Sequence, residues 1–69
     1  MSEVFKINGQ YIELIKLLKA SGLCETGGVA KAFVAEGLVR VDGDVELRKR
    51  CKIRKGQKVK FDGSEILVE

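Results

Sequence analysis

The spacing of the apolar residues changes at Gly37, and this change constrains the fold more than any other feature of the sequence. Before Gly37 the apolar residues recur at intervals of three and four, whereas after it they alternate with polar residues. The first spacing predicts helices and the second predicts strands. The 69 residues suffice for one small domain, residues 1–69. We therefore expect an α+β domain, a two-helix hairpin packed on a small, mainly antiparallel sheet.

Two segments predict the helices. In residues 10–20 one apolar stripe has the i, i+3, i+4, i+7 spacing of a buried helical face, formed by Tyr11, Leu14, Ile15 and Leu18. Gly22 follows as a left-handed terminator. Thr26 is a good N-cap residue for the second helix, which we expect to end at Gly37. A few residues join the two helices, which predicts that they form a hairpin.

The remaining apolar residues predict short strands. An opening strand contains Phe5 and Ile7. A hairpin surrounds Asp42-Gly43, and a three-residue loop, 42–44, would pair Val41 with Val45 and so keep the apolar side chains on one face. Further turns are expected at Lys55-Gly56 and Asp62-Gly63. A two-residue turn at 62–63 places four side chains on one face, those of Val59, Phe61, Ile66 and Val68.

The charge distribution is strongly asymmetric. Residues 48–60 carry eight basic side chains and no acidic one, whereas the rest of the chain carries five basic and ten acidic side chains. A basic run on an exposed sheet edge also discourages aggregation. Eight uncompensated cations repel one another, however, which favours a polyanionic ligand that neutralises them. Strand alternation would place Arg48, Arg50, Lys52 and Arg54 on one face.

The stretch TGGVAK, residues 26–31, has the composition of a phosphate-binding segment. Its lysine lies three residues after the second glycine, which does not fit a Walker-type loop, and the Rossmann glycine spacing is absent. Two interpretations stay open. The glycines could allow close packing of the two helices, or they could let a phosphate approach the free amides of a helix start, with Lys31 one turn away.

Several classes of function are disfavoured. The chain has no histidine and two isolated cysteines, Cys24 and Cys51, so we predict no metal site, no cofactor and no catalytic residues. No apolar run approaches the roughly 20 residues that span a membrane. The first residues do not resemble a signal peptide, which predicts a cytoplasmic protein. We expect a monomer.

A nucleic-acid ligand would be RNA rather than DNA. No helix carries a row of Arg, Asn and Gln side chains suited to a major groove. We assign Tyr11, Phe33 and Phe61 to the core, which leaves little aromatic surface for base stacking. Recognition through backbone and shape, as in structured RNA, is favoured.

The segment GLCETGGVAKAFVAEGLVRVDGDVELRKRCKIRKGQKV resembles the RNA-binding domain named after ribosomal small-subunit protein S-four, the alpha-L motif. Among its members, the small stand-alone bacterial YbcJ-like proteins are most similar. The resemblance covers residues 11–61 and preserves the order of two helices, a hairpin, a basic strand and a GQKV step. It implies binding of structured RNA, of ribosomal or transfer-RNA type, in a groove beside the second helix. The positions that it implies are Thr26, Gly27, Gly28, Lys31, Arg40, Arg48, Lys49, Arg50 and Lys52.

One departure and two alternatives accompany this interpretation. Many family members begin the second helix with Ser-Arg, where this chain has Thr26-Gly27, so one guanidinium is missing. The first alternative is a protein-interaction module like the β-grasp carriers, although the chain ends in Leu67-Val68-Glu69 rather than in the Gly-Gly of sulfur carriers. The second, an enzyme fragment, is disfavoured by the residue content described above.

Overall fold

The computed structural model describes residues 2–69, which form two helices and seven strands. The elements in chain order are β1 (Ser2–Phe5), β2 (Tyr11–Glu13), α1 (Leu14–Ala20), α2 (Gly27–Ala35), β3 (Val39–Val41), β4 (Asp44–Val45), β5 (Lys52–Arg54), β6 (Lys58–Phe61) and β7 (Ser64–Val68).

The strands form two sheets. Five strands make one sheet in the order β1-β7-β6-β3-β4, in which only the β1–β7 pair is parallel. β2 and β5 form a separate antiparallel ribbon. The predicted α+β class, with a mainly antiparallel sheet, is confirmed. The ribbon was not predicted.

The hydrophobic core lies between the five-stranded sheet and the helices. The inward side chains of β6 and β7 include Val59, Ile66 and Val68, which are fully buried, and Phe61 is nearly so. Phe61 pairs with Ser64, so the predicted two-residue turn at 62–63 is confirmed. Phe33 of α2 packs on Phe61 with 4.7 Å between ring centroids. Burial of this face drives the sheet and the helices together.

The predicted start of the first helix is wrong by four residues. α1 begins at Leu14, because Tyr11, Ile12 and Glu13 pair with β5 instead of continuing the helix. Leu14, Leu17 and Leu18 are fully buried as the helical spacing indicated, but Tyr11 is 42% exposed and does not belong to the core. A partner strand forty residues downstream therefore outweighs the local helical pattern.

The predicted register of the first hairpin is also wrong. Val41 pairs with Asp44, so the loop has two residues, and Asp42 and Gly43 both have positive φ angles of 51° and 88°. Two left-handed residues match the twist of the flanking strands. The expectation failed because β4 ends at the sheet edge, where Val45 is 48% exposed and gains little from facing the core.

The Asp42 carboxylate attaches this hairpin to β6. It accepts hydrogen bonds from the Lys58 amide at 2.9 Å and from the Gln57 side chain at 3.1 Å. These bonds, the one from the Lys58 amide above all, lower the pKa of Asp42.

The opening strand exists but ends at Phe5, before Ile7, whose amide donates to the Glu69 carbonyl.

Candidate nucleic-acid interface

The start of α2 combines a capping hydroxyl with two open amides. Thr26 is the N-cap, and its side chain accepts a hydrogen bond from the Val29 amide at 3.2 Å, as its residue type predicts. The Gly27 and Gly28 amides donate to no acceptor within residues 2–69. They are the amides that a helix start leaves free for an external group.

The two glycines are not required by the fold. Neither has a positive φ angle. A Cβ atom at Gly27 would meet nothing within 4 Å, and one at Gly28 would meet only the Thr26 hydroxyl at 3.8 Å. The interpretation that these glycines allow close packing of the helices is therefore not supported by the contacts, and the space beside them is open.

The first half of the basic run is a loop rather than a strand. Only residues 52–54 of the run pair as β5, while Lys49 and Arg50 lie in a turn. The expected alternation of Arg48, Arg50, Lys52 and Arg54 along one strand is therefore correct only for the last two. The loop is hydrogen-bonded to the first amides of α1. The Lys49 carbonyl accepts a hydrogen bond from the Ile15 amide at 3.2 Å, and the Cys51 carbonyl accepts one from the Leu14 amide at 2.9 Å. These bonds hold the loop against the helix start.

Loop and helix together form two adjoining depressions. The first has a volume of about 420 Å³ and is lined by Ile15, Lys31, Leu47, Lys49 and Arg50. The second has a volume of about 390 Å³ and is lined by Arg48, Arg50, Cys51 and Lys52. Arg50 belongs to both. We call this combined surface the basic groove. It brings Lys31 of α2 beside residues that lie almost twenty positions further along the chain.

Arg48 differs from the other cations of the basic groove because an internal carboxylate neutralises it. Its Nε and a terminal nitrogen each donate to Glu46 at 3.0 Å, and its amide donates at 2.9 Å. The side-chain bonds from Arg48, followed by the backbone bond, lower the pKa of Glu46 to about 2. A count of charges over residues 48–60 missed this pairing, since Glu46 lies just outside that window.

A second carboxylate lies at the edge of the groove. Glu13 is 3.4 Å from the Lys16 amine and 4.0 Å from Arg50 Nε. Among residues 2–69, no carboxylate lies within 4.0 Å of the amines of Lys31, Lys49 or Lys52. The groove therefore keeps a net positive charge in spite of the two acids beside it.

Tyr11 is a feature of this surface that sequence reasoning assigned to the core. Its ring lies on the outer face of the β2–β5 ribbon, with the Lys52 amine 4.9 Å and the Arg54 guanidinium 6.0 Å from the ring centroid. No local signal distinguishes Tyr11 from a core position, because its exposure depends on the distant partner strand.

Other functional groups are sparse in residues 2–69. No cluster of three or more His, Cys, Asp or Glu side chains with metal-binding geometry occurs there. Burial raises the pKa of the Cys24 thiol. The pKa of the Cys51 thiol is also raised, and burial is the largest cause. Neither of the two helices is long and apolar enough to cross a membrane.

The comparison with protein families agrees with this arrangement of elements. The S4 domain model matches residues 5–69, nearly the whole chain. This chain belongs to the S4 domain family. The resemblance described from the sequence is thereby confirmed.

Two curated relatives are similar to this S4 domain over most of their length. "Putative RNA-binding protein YbcJ" of Escherichia coli K12 is 53% identical over 58 residues, which cover 84% of this chain and 83% of that protein. "Uncharacterized protein YbcJ" of Shigella flexneri matches with the same identity and coverage. The solution structure of YbcJ from E. coli, described as revealing an alpha-L motif involved in RNA-binding, matches with a TM-score of 0.73. The identity is 48%, over 94% of this chain and 84% of that one.

Arg40 lies on a different surface of this S4 domain from the basic groove. It belongs to the outer face of the five-stranded sheet, where it lies opposite Lys60 of the neighbouring strand β6. Its guanidinium donates a hydrogen bond to the Gly43 carbonyl at 3.3 Å. It lines neither depression. Its role in binding stays a prediction from the family resemblance.

Proposed function

We propose that this S4 domain binds structured RNA through the basic groove and contacts the phosphate backbone there. The observation that carries the proposal is the convergence of Lys31, Lys49 and Arg50 on one depression. Membership of the S4 domain family and the name of the E. coli relative, "Putative RNA-binding protein YbcJ", support RNA as the ligand. Lysine and arginine side chains at such a surface bind phosphates without reading base sequence.

We propose different contributions for the nine residues that the resemblance implied. Lys31, Lys49, Arg50 and Lys52 supply the exposed cations, and the Gly27 and Gly28 amides, ordered by the Thr26 cap, hold a further phosphate. Arg48 contributes less, because a phosphate must first displace Glu46 from its guanidinium. Arg40 lines neither depression, so we propose that it contacts a part of the RNA that extends beyond the groove.

The shape of the groove supports a folded RNA as the ligand. No element of the described chain presents a row of side chains for a major groove, whereas a shallow basic surface fits the backbone of a folded RNA. We propose a ribosomal or transfer-type RNA in the cytoplasm as the partner, bound by one copy of the chain. We propose that the groove binds RNA through its charge and shape and does not catalyse a reaction.

Binding should depend strongly on salt. If the four exposed cations each neutralise one phosphate, the logarithm of affinity should fall with the logarithm of salt concentration with a slope of about −3. Affinity should then drop roughly fiftyfold between 50 and 200 mM salt. Fluorescence anisotropy of a labelled RNA hairpin measures both quantities, and a DNA hairpin of matching sequence is the control. A slope near zero, or equal affinity for the DNA hairpin, would contradict the proposal.

Gly28→Ala tests the amide contact by its opposite effects on stability and on binding. The new methyl fits the helix without strain, so the free energy of unfolding should rise by about 0.4–1 kcal/mol. The same methyl covers the open amides, and RNA affinity should fall about tenfold, as for loss of one hydrogen bond to a charged group. Chemical denaturation and RNA titration measure the two effects. A more stable variant with unchanged affinity would show that these amides do not hold a phosphate.

A further inference from the structure

Tyr11 occupies an exposed position that packing does not explain. Along the β2–β5 ribbon, Ile12 pairs with the fully buried Ile53, and these side chains attach the ribbon to the core. Tyr11 pairs with Arg54 on the opposite face and remains 42% exposed. The ring therefore lies outside the core that anchors the ribbon.

The surroundings of the ring are cationic. The Lys52 amine and the Arg54 guanidinium lie 4.9 Å and 6.0 Å from its centroid. Within residues 2–69 neither group has a carboxylate within 4.0 Å, since Glu13 on the same face pairs with Lys16 and Arg50 instead. Cation–π contacts at exposed sites are weak, so a ligand can replace them at the ring while the two charges remain available to phosphates.

The ring is also continuous with the basic groove. Lys52 lines the second depression beside Arg50, and Arg50 lines the first beside Lys31. A strand of RNA that leaves the groove past Arg50 therefore reaches Lys52 and then Tyr11. An aromatic ring between two cations matches the chemistry of a nucleotide, whose flat base stacks on the ring while its phosphates meet the charges.

We propose that Tyr11 is a stacking platform for an unpaired base next to the structured RNA held in the basic groove, and that Lys52 and Arg54 bind the phosphates flanking this base. The inference rests on the proposed function and adds a second kind of contact to it. It assigns the domain a preference for a junction between a helix and a single strand over a fully paired RNA. Stacking on an aromatic ring tolerates any base, so the preference is structural.

The chain provides its own probe for this contact. Tyr11 is the only tyrosine and there is no tryptophan, so intrinsic tyrosine emission reports on this ring alone. Two labelled RNA hairpins are compared by anisotropy, one blunt and one with a short unpaired extension at its end. We expect the extended hairpin to bind about fivefold or more tightly, in line with the stacking of one base, and to quench the tyrosine emission. Abasic nucleotides in the extension keep the phosphates that Lys52 and Arg54 bind, so they should abolish the quenching and remove the part of the affinity gain that comes from stacking.

Two variants separate stacking from a structural role of the ring. Tyr11→Val keeps a side chain suited to a strand and should reduce the affinity ratio between the extended and blunt hairpins to the value that the abasic extension gives. Tyr11→Phe keeps the ring and should retain the ratio. Thermal unfolding of both variants checks that the ribbon is intact.

Each result decides between the two proposals. If neither hairpin binds, the proposed function and the stacking inference both fail. If both hairpins bind with equal affinity and the tyrosine emission stays constant, the basic groove stands and the Tyr11 inference is overturned. An affinity ratio that is unchanged in Tyr11→Val would place the single-strand contact elsewhere and would also overturn it.

Discussion

Reversing two charges of the loop, Lys49→Glu with Arg50→Glu, should weaken binding to structured RNA about a hundredfold or more. Both side chains line the depression that also contains Lys31. A hydrogen bond to a charged group contributes about 1.5–3 kcal/mol, and the variant loses two of them and adds repulsion of the phosphates. Anisotropy titration at a fixed salt concentration measures the loss, and the salt dependence of affinity should become shallower by about two phosphates.

The control carries the same change in net charge at positions away from the groove. Lys6 lies in the segment between β1 and β2, and Lys60 lies on the outer face of the five-stranded sheet beside Arg40. Lys6→Glu with Lys60→Glu should weaken binding far less, because long-range attraction is screened within about 10 Å at 0.1 M salt. Equal losses in the two double variants would mean that total charge, rather than a localised site, attracts RNA.

Leu18→Ala should come close to unfolding the domain. Leu18 is fully buried at the contact between α1 and the rest of the core. Removing such a leucine side chain costs about 3–5 kcal/mol, whereas a domain of this length has a free energy of unfolding of about 3–10 kcal/mol. Calorimetry or circular dichroism should show a drop in Tm of more than about 10 °C.

The matched comparison is Leu47→Ala, the same substitution at a leucine that is 60% exposed. Its side chain touches the rim of the groove and the space beside Gly37, and its truncation should change the free energy of unfolding by less than about 1 kcal/mol. If both variants lost similar stability, the core would not lie where the structure places it.

Features that depend on neighbouring residues were predictable from the sequence. The Thr26 cap, the end of α1 near Gly22 and the two-residue turn at 62–63 all follow from local hydrogen bonding and backbone preference. The buried face of β6 and β7 follows from a period of two that both strands share. These elements are sufficient for the α+β class, whereas the family resemblance rests on the order of the motifs in residues 11–61.

Features that depend on distant partners were not predictable. Tyr11 has a helical spacing to Leu14, but pairing with β5 makes it part of a strand and exposes its ring. The hairpin at Asp42 was given the wrong loop length because Val45 was expected to face the core, whereas in the structure it lies in the edge strand β4 and pairs with the exposed Arg40. At Tyr11 a long-range contact outweighs a local preference. At the hairpin the two-residue turn at Asp42-Gly43 outweighs the apolar pattern, because the edge strand gains little from facing the core.

The candidate site shows the same division. The sequence alone predicts a basic run and a capped helix start with two glycines, and its resemblance to a known family indicates the S4 type of domain, which the family model confirms. Tertiary packing selects which of those charges can act together. It places Lys31 beside Lys49 and Arg50 and separates Arg40 from the groove, whereas the local bond to Glu46 partly neutralises Arg48. The physical reason is that each residue carries its charge whatever the fold, whereas an electrostatic site requires several charges to lie close together. For residues far apart in the sequence, that proximity is determined only when the core forms.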